Sequence, residues 1–241
     1  MPPKRPVFPL RHHNATQHMQ QELMNARGMA KILWIFDLDN TLHNATPHIF
    51  PHINRSMTAY LQEYLQLEEA EANDLRTHYW RRYGATLSGL MRHHGTDPGH
   101  FLWHTHQFPE LDRMVLRAPR LRHVLNALPG RKVVFSNAPQ RYANDVLKLL
   151  RVDDLFDDVM AVEHTRYRPK PDIFGFMRLL RVNRVKAPQC VMVEDSLENL
   201  HTAKRLGMRT VWVNASSKNA PCVDAKIRDV MQLPDVLHRL T

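Results

Sequence analysis

Five short runs of apolar residues punctuate the chain: ILWIF at 32–36, VVF at 133–135, VMAV at 159–162, CVMV at 190–193 and TVWV at 210–213. Unbroken runs of that length fill a sheet that is buried on both faces. Between them the period becomes helical. Val146, Leu147 and Leu150 recur on one face of 141–151, and 197–206 runs into Gly207, a C-cap residue. Strand and helix in alternation predict right-handed crossovers and an α/β fold, a Rossmann-like doubly wound parallel sheet. One interval breaks the rhythm: almost 100 residues separate the first run from the second, and they read as helices, for example over 54–66, 69–83 and 99–107. That is too long for a loop and predicts a helical cap domain inserted after the first strand, at the end of the sheet where open α/β folds bind ligands. The expected division is a catalytic core of 29–42 and 119–241, a cap at 43–118, and a poorly ordered basic arm over 1–28, which holds Pro2, Pro3, Pro6 and Pro9.

Charge adds a partner class. Thirty-three Lys and Arg against 24 Asp and Glu give the 241-residue chain a formal +9, so an anion is the first partner to consider. Residues 1–31 carry +4 of it and the remaining 210 only +5, which weakens the case for a nucleic-acid surface. Cys190 and Cys222 cannot build a disulfide framework, and a reducing, cytoplasmic setting is expected. No apolar run approaches the roughly 18 residues of a membrane span, and the first residues lack the apolar stretch of a secretory signal. Neither membrane nor nucleic acid is expected as a partner, and nothing in the pattern specifies an oligomeric state.

The candidate chemistry sits at the strand ends. Asp37 and Asp39 follow the first run, and a period of two puts both carboxylates on one side of the extended chain. Glu194 and Asp195 end the fourth run. Four carboxylates at one end of a sheet call for a hard divalent cation, and Mg²⁺ is the simplest choice. After the second run come Ser136 and Asn137, then a helix start, a combination suited to holding phosphate. Lys170 stands between two prolines in Arg168-Pro169-Lys170-Pro171-Asp172, which stiffens the backbone under a point charge. The eight glycines form neither G-x-x-x-x-G-K-[ST] nor G-x-G-x-x-G, so P-loop and dinucleotide cradles are excluded. His100 and His104 are spaced as a helical metal pair but lack an acid or Cys to complete a site.

DLDNT at 37–41, Ser136, Lys170 in RPKPD and VEDS at 193–196 resemble the four motifs of the haloacid dehalogenase-like hydrolase superfamily. DLDNTLH, the cap segment YWRRYGATLSGL at 79–90 and EHTRYRPKPDIF at 163–174 are similar to the pyrimidine 5'-nucleotidase group. The resemblance implies a small-molecule phosphate ester as substrate and a Mg²⁺-dependent phosphomonoesterase acting on nucleoside 5'-monophosphates. Asp37 would be its nucleophile and Asp39 its acid and base. The metal would be held by Asp37, the Asp39 main chain and Asp195, with Glu194 direct or one shell away. Ser136, Asn137 and Lys170 would bind the phosphoryl group, and Thr41 and Asn199 would support the site. By position, Arg82 in the turn before Gly84 and His43 just after the first motif are expected to face the substrate. Two alternatives are a phosphatase for a sugar phosphate or phosphoglycolate and a regulatory, nucleic-acid-binding protein that uses the basic arm.

Overall fold

The computed structural model describes residues 32–240. The arm expected over 1–28 lies outside them. Six strands form one parallel sheet: β1 (Leu33–Phe36), β2 (Arg131–Phe135), β3 (Asp158–Met160), β4 (Cys190–Glu194), β5 (Arg209–Val213) and β6 (Ala225–Ile227). Their order is β3-β2-β1-β4-β5-β6. The chain builds one half outward from β1, then returns to its other side and builds the second. The reversal opens a crevice at the carboxyl ends of β1 and β4, the place where such sheets bind ligands.

Alternate residues of β1 feed two cores, as the pleat requires. Trp34 and Phe36 join Val134, Val193, Val146 and Leu147 in one layer. Leu33 and Ile35 join Phe135, Phe176, Leu179 and Leu200 in the other. Every side chain of β1 is inaccessible to solvent, and burying each contributes about 1.5–3 kcal/mol. The strand that leads into the two aspartates is therefore firmly held from both faces.

The interval after β1 contains α1 (Ile49–Leu65), α2 (Glu69–Tyr83), α3 (Thr86–His94), α4 (Pro98–Thr105) and the short α5 (Leu111–Met114). Tyr60, Leu61, Ala72, Tyr79, Leu87, Leu90 and Phe101 form a separate core there. Gly89 permits the closest approach in it, since a Cβ at that position would lie 2.2 Å from the Tyr79 ring. The remaining helices flank the sheet: α6 (Leu121–Ala127), α7 (Gln140–Leu150), α8 (Ile173–Asn183) and α9 (Leu197–Arg205).

Three details depart from the apolar pattern. The first long helix begins at Ile49 rather than 54, because Pro51 falls in the first turn, where a missing N–H costs no intrahelical bond. β3 ends at Met160, and Ala161 and Val162 leave the sheet, the latter to pack into the core of the inserted helices. β6 has only three residues, too few to show a period. No helix among the described residues is long and apolar enough to cross a membrane.

Candidate active site

Pairing between β1 and β4 continues one residue past the strand, where the Asp37 N–H donates to the Val193 carbonyl at 3.0 Å. Asp37 is thereby fixed at the crevice beside Glu194 and Asp195. Single carboxylate oxygens of these three acids all lie within 4.8 Å of one another. Lys170 reaches them from the loop before α8 and is only 3% exposed. Its ammonium donates to Asp37 Oδ1 at 2.8 Å, to Glu194 Oε2 at 2.8 Å and to the Phe135 carbonyl at 2.7 Å. A lysine has three N–H donors, so all are engaged. Lys170 is a fixed counter-charge.

One ammonium does not balance three carboxylates. Burial, then the nearby Glu194, push the Asp37 carboxyl from 3.8 up to about 7, although Lys170 opposes the rise. Burial raises Glu194 and Asp195 as well. Two unmatched negative charges in a buried oxygen-only cluster are what a hard divalent cation satisfies, so the residues fit Mg²⁺. Both Glu194 oxygens are already engaged, Oε2 by Lys170 and Oε1 by the Ser196 N–H at 3.2 Å.

Ser136 is buried at the end of β2, where its Oγ accepts from the Ala138 N–H at 3.0 Å and keeps its own proton to donate. The helix start behind it is less open than its sequence implies. The Ser136 N–H bonds to Met160 and the Gln140 N–H to Glu163. Asn137 borders the crevice, yet its amide is turned onto the Lys170 main chain, accepting from N at 2.6 Å and donating to O at 3.1 Å. It latches the loop that presents Lys170.

Asp39 lines two adjoining cavities. One, of about 620 Å³, also contains Asp37, Ser136, Lys170, Asp195 and Asn199. The other, of about 560 Å³, extends under the inserted helices and is walled by Ile53, Met57, Leu87, Phe101 and Val162. Phe50 and Trp80 border both, and Trp80 is 60% exposed. Arg81 faces the first cavity. Arg82 borders neither and lies beside the Tyr83 ring, because one step along a helix turns a side chain by about 100°. Arg76 lines the deeper cavity, with Nη1 on Asn54 Oδ1 at 2.8 Å and its buried Nε unpartnered.

His43 is fully shielded and meets Asp39 Oδ1 through Nε2 at 2.9 Å. Thr41 is buried nearby, its hydroxyl unpartnered. Three residues that pattern reading missed also meet here. The Tyr142 hydroxyl donates to Asp39 Oδ1 at 2.6 Å, and burial followed by the Asp39 charge raises its pKa. His106 borders the deeper cavity, and burial pushes its imidazole down to about 4, which keeps it neutral at pH 7. Arg76 is the third. Tyr142 belongs to the apolar stripe of α7, and nothing in its spacing separates it from a core residue. Elsewhere, the His100 and His104 rings lie 4.1 Å apart, tilted by 41°, and bond to Tyr60 and Tyr64, with no third ligand among the described residues.

A family described as haloacid dehalogenase-like hydrolase matches residues 34–213. Among curated proteins, the chain is 22% identical over 236 residues to Phosphate metabolism protein 8 of Saccharomyces cerevisiae, covering 86% of this chain and 73% of the yeast protein. It is also 22% identical over 207 residues to a phosphoglycolate phosphatase of Pseudomonas putida, covering 80% and 73%. Among solved structures, the fold is similar to a haloacid dehalogenase-like phosphatase from Thermococcus onnurineus, with a TM-score of 0.59, 22% identity, and 86% and 97% of the two chains covered. A 2-haloacid dehalogenase from Pseudomonas syringae gives a TM-score of 0.58 at 23% identity, covering 87% and 99%.

Proposed function

The chain belongs to the haloacid dehalogenase-like hydrolases, and from that membership we propose that it is a Mg²⁺-dependent phosphomonoesterase, with nucleoside 5'-monophosphates, pyrimidines foremost, as its substrates. The observation that carries the reaction is the buried Lys170 bridge between Asp37 and Glu194 with Asp39 two residues away. In this reading the inserted helices are a cap and the sheet is the catalytic core. Asp37 and Asp195, with the Asp39 carbonyl, hold the cation, while Glu194 anchors Lys170 and the Ser196 N–H beside them. When bound, Mg²⁺ draws negative charge from the transferring phosphoryl oxygens.

The chain's own groups do the rest. Asp37 attacks phosphorus, and its new O–P bond replaces the bond to the leaving oxygen. Asp39 gives its proton to that alkoxide. It then takes one from the water that attacks the aspartyl-phosphate, which releases phosphate and restores Asp37. Lys170 opposes the rise in the Asp37 pKa and, with the cation bound, favours its ionised form; the Ser136 hydroxyl donates to a phosphoryl oxygen, and Asn137 holds Lys170 in register. Asp39 also weighs against a haloalkanoate substrate, whose displacement needs no proton for its leaving group.

Cavity size argues for a large leaving group. About 560 Å³ of largely apolar space is in the range of sites for drug-sized ligands, and the two-carbon glycolate of phosphoglycolate would leave most of it unfilled. Trp80 and Phe50 offer aromatic surface to a base at the mouth. The pyrimidine preference rests on the resemblance of DLDNTLH and YWRRYGATLSGL. Two free cysteines suit a reducing cytoplasm. The test is phosphate release from UMP, CMP, AMP, a sugar phosphate and phosphoglycolate with Mg²⁺. UMP and CMP should lead in kcat/KM by at least about tenfold. Equal rates on UMP and AMP remove the pyrimidine preference, and phosphoglycolate in first place overturns the nucleotide assignment.

A further inference from the structure

Asp39 is held from two sides. The Tyr142 hydroxyl at 2.6 Å and His43 Nε2 at 2.9 Å both meet the same oxygen, Oδ1. A carboxylate only accepts, so His43 donates from Nε2; its buried Nδ1 has no partner. Two donors on Oδ1 leave no place for an acid proton there. When Asp39 is protonated, the proton is confined to Oδ2, the oxygen that neither clamp engages, on a residue that lines both cavities.

Neither clamp is loose. Tyr142 is 2% exposed, and its ring lies 5.1 Å from Phe108 and 6.1 Å from His106, centroid to centroid. Phe108 in turn packs 4.8 Å from His52 of α1, whose Nε2 meets the Gln107 carbonyl at 2.6 Å. His43 stands on the chain leaving the sheet for the inserted helices, while His106 and Phe108 stand on the chain returning. Both crossings therefore bear on one carboxylate.

We propose that Tyr142 and His43 are positioning residues that fix the Asp39 carboxyl with its proton on Oδ2, aimed at the oxygen of the departing alcohol. The inference rests on the phosphomonoesterase reading and adds to it how the acid is oriented. Because the groups act through Asp39, their removal should matter in proportion to how much the leaving group needs a proton. An alkoxide needs one, whereas p-nitrophenolate departs without it.

The experiment compares kcat/KM, which reports events through departure of the first product, for a nucleoside 5'-monophosphate and for p-nitrophenyl phosphate. Tyr142→Phe, which removes one hydroxyl, should lose about 30-fold on the nucleotide and no more than about threefold on the aryl ester. His43→Leu should show the same selective loss, and His43→Gln, with an amide donor near the place of Nε2, should recover most of it. A thermal melt accompanies each variant. Should Tyr142→Phe fail to fold, the His43 pair decides by the same comparison. Equal losses on both esters, or none, overturn the inference while leaving the phosphatase reading in place. A wild-type protein inert towards both esters removes that reading and the inference with it.

Discussion

At the scale of single residues, the site is a problem of unequal charge. Lys170 stands between Asp37 and Glu194, and removing one partner of a buried ion pair costs about 3–5 kcal/mol. Lys170→Met should therefore lower the stability of the metal-free protein by about that much in chemical denaturation, and abolish turnover; a variant as stable as the wild type contradicts the assignment. The carboxyl shifts give a second prediction. Asp37 is raised from 3.8 to about 7 by burial and by Glu194, so the metal-free fold holds a proton that the unfolded chain has lost, and stability from this group falls as pH rises between those values. Cation binding needs the ionised form, so the Mg²⁺-induced rise in Tm should be small at about pH 5.5 and larger at about pH 8. Equal shifts at the two pH values contradict it. Asp37, Asp39, Ser136, Lys170, Glu194 and Asp195 were legible in the sequence because each ends a strand or stands between prolines. Tyr142 and Arg76 were not, since a polar tip on a mostly buried helical side chain looks like core until its partner across the fold is known. Asn137 shows a further limit: its spacing from the strand was readable, but the direction of its amide was not.

Among the elements, β1 and the inserted helices have separate tasks. The strand is held by two cores and presents its aspartates rigidly, while the insert shapes the cavity above them. Its α2–α3 contact depends on Gly89, where a Cβ would collide with the Tyr79 ring. Gly89→Ala should lower the melting temperature, at a cost of about 1–3 kcal/mol, and an unchanged melt contradicts that packing. Trp80, exposed on the last turn of α2, should act on substrate rather than on stability. Trp80→Ala is expected to raise KM for a nucleotide about tenfold while leaving a sugar phosphate untouched, in line with about 1–3 kcal/mol for one stacked base. An equal change for both substrates, or a lowered melt, would assign Trp80 to the fold instead. Apolar runs revealed five of the six strands, because strands buried on both faces advertise themselves. The sixth, Ala225–Ile227, is an edge strand of three residues with Lys226 at its centre, and its composition carries no such signal.

For the whole molecule, a net +9 points to an anionic partner, yet the described site is an acidic cluster with one engaged lysine. The positive charge is not where the chemistry is. Deleting residues 1–28 should accordingly leave kcat/KM for a nucleotide unchanged, and a large loss would give the arm a part in catalysis. Sheet order explains why the motifs meet: β1 and β4 are neighbours across the reversal, so residues more than 150 positions apart, Asp37 and Asp195, share one crevice. The central claim, that Asp37 takes the phosphoryl group covalently, is tested most directly by mass spectrometry of protein quenched in acid during turnover of a nucleoside 5'-monophosphate with Mg²⁺. The account predicts one phosphoryl group on the peptide that holds Asp37, and neither that adduct nor phosphate release in Asp37→Asn. Sustained phosphate release by Asp37→Asn would contradict it.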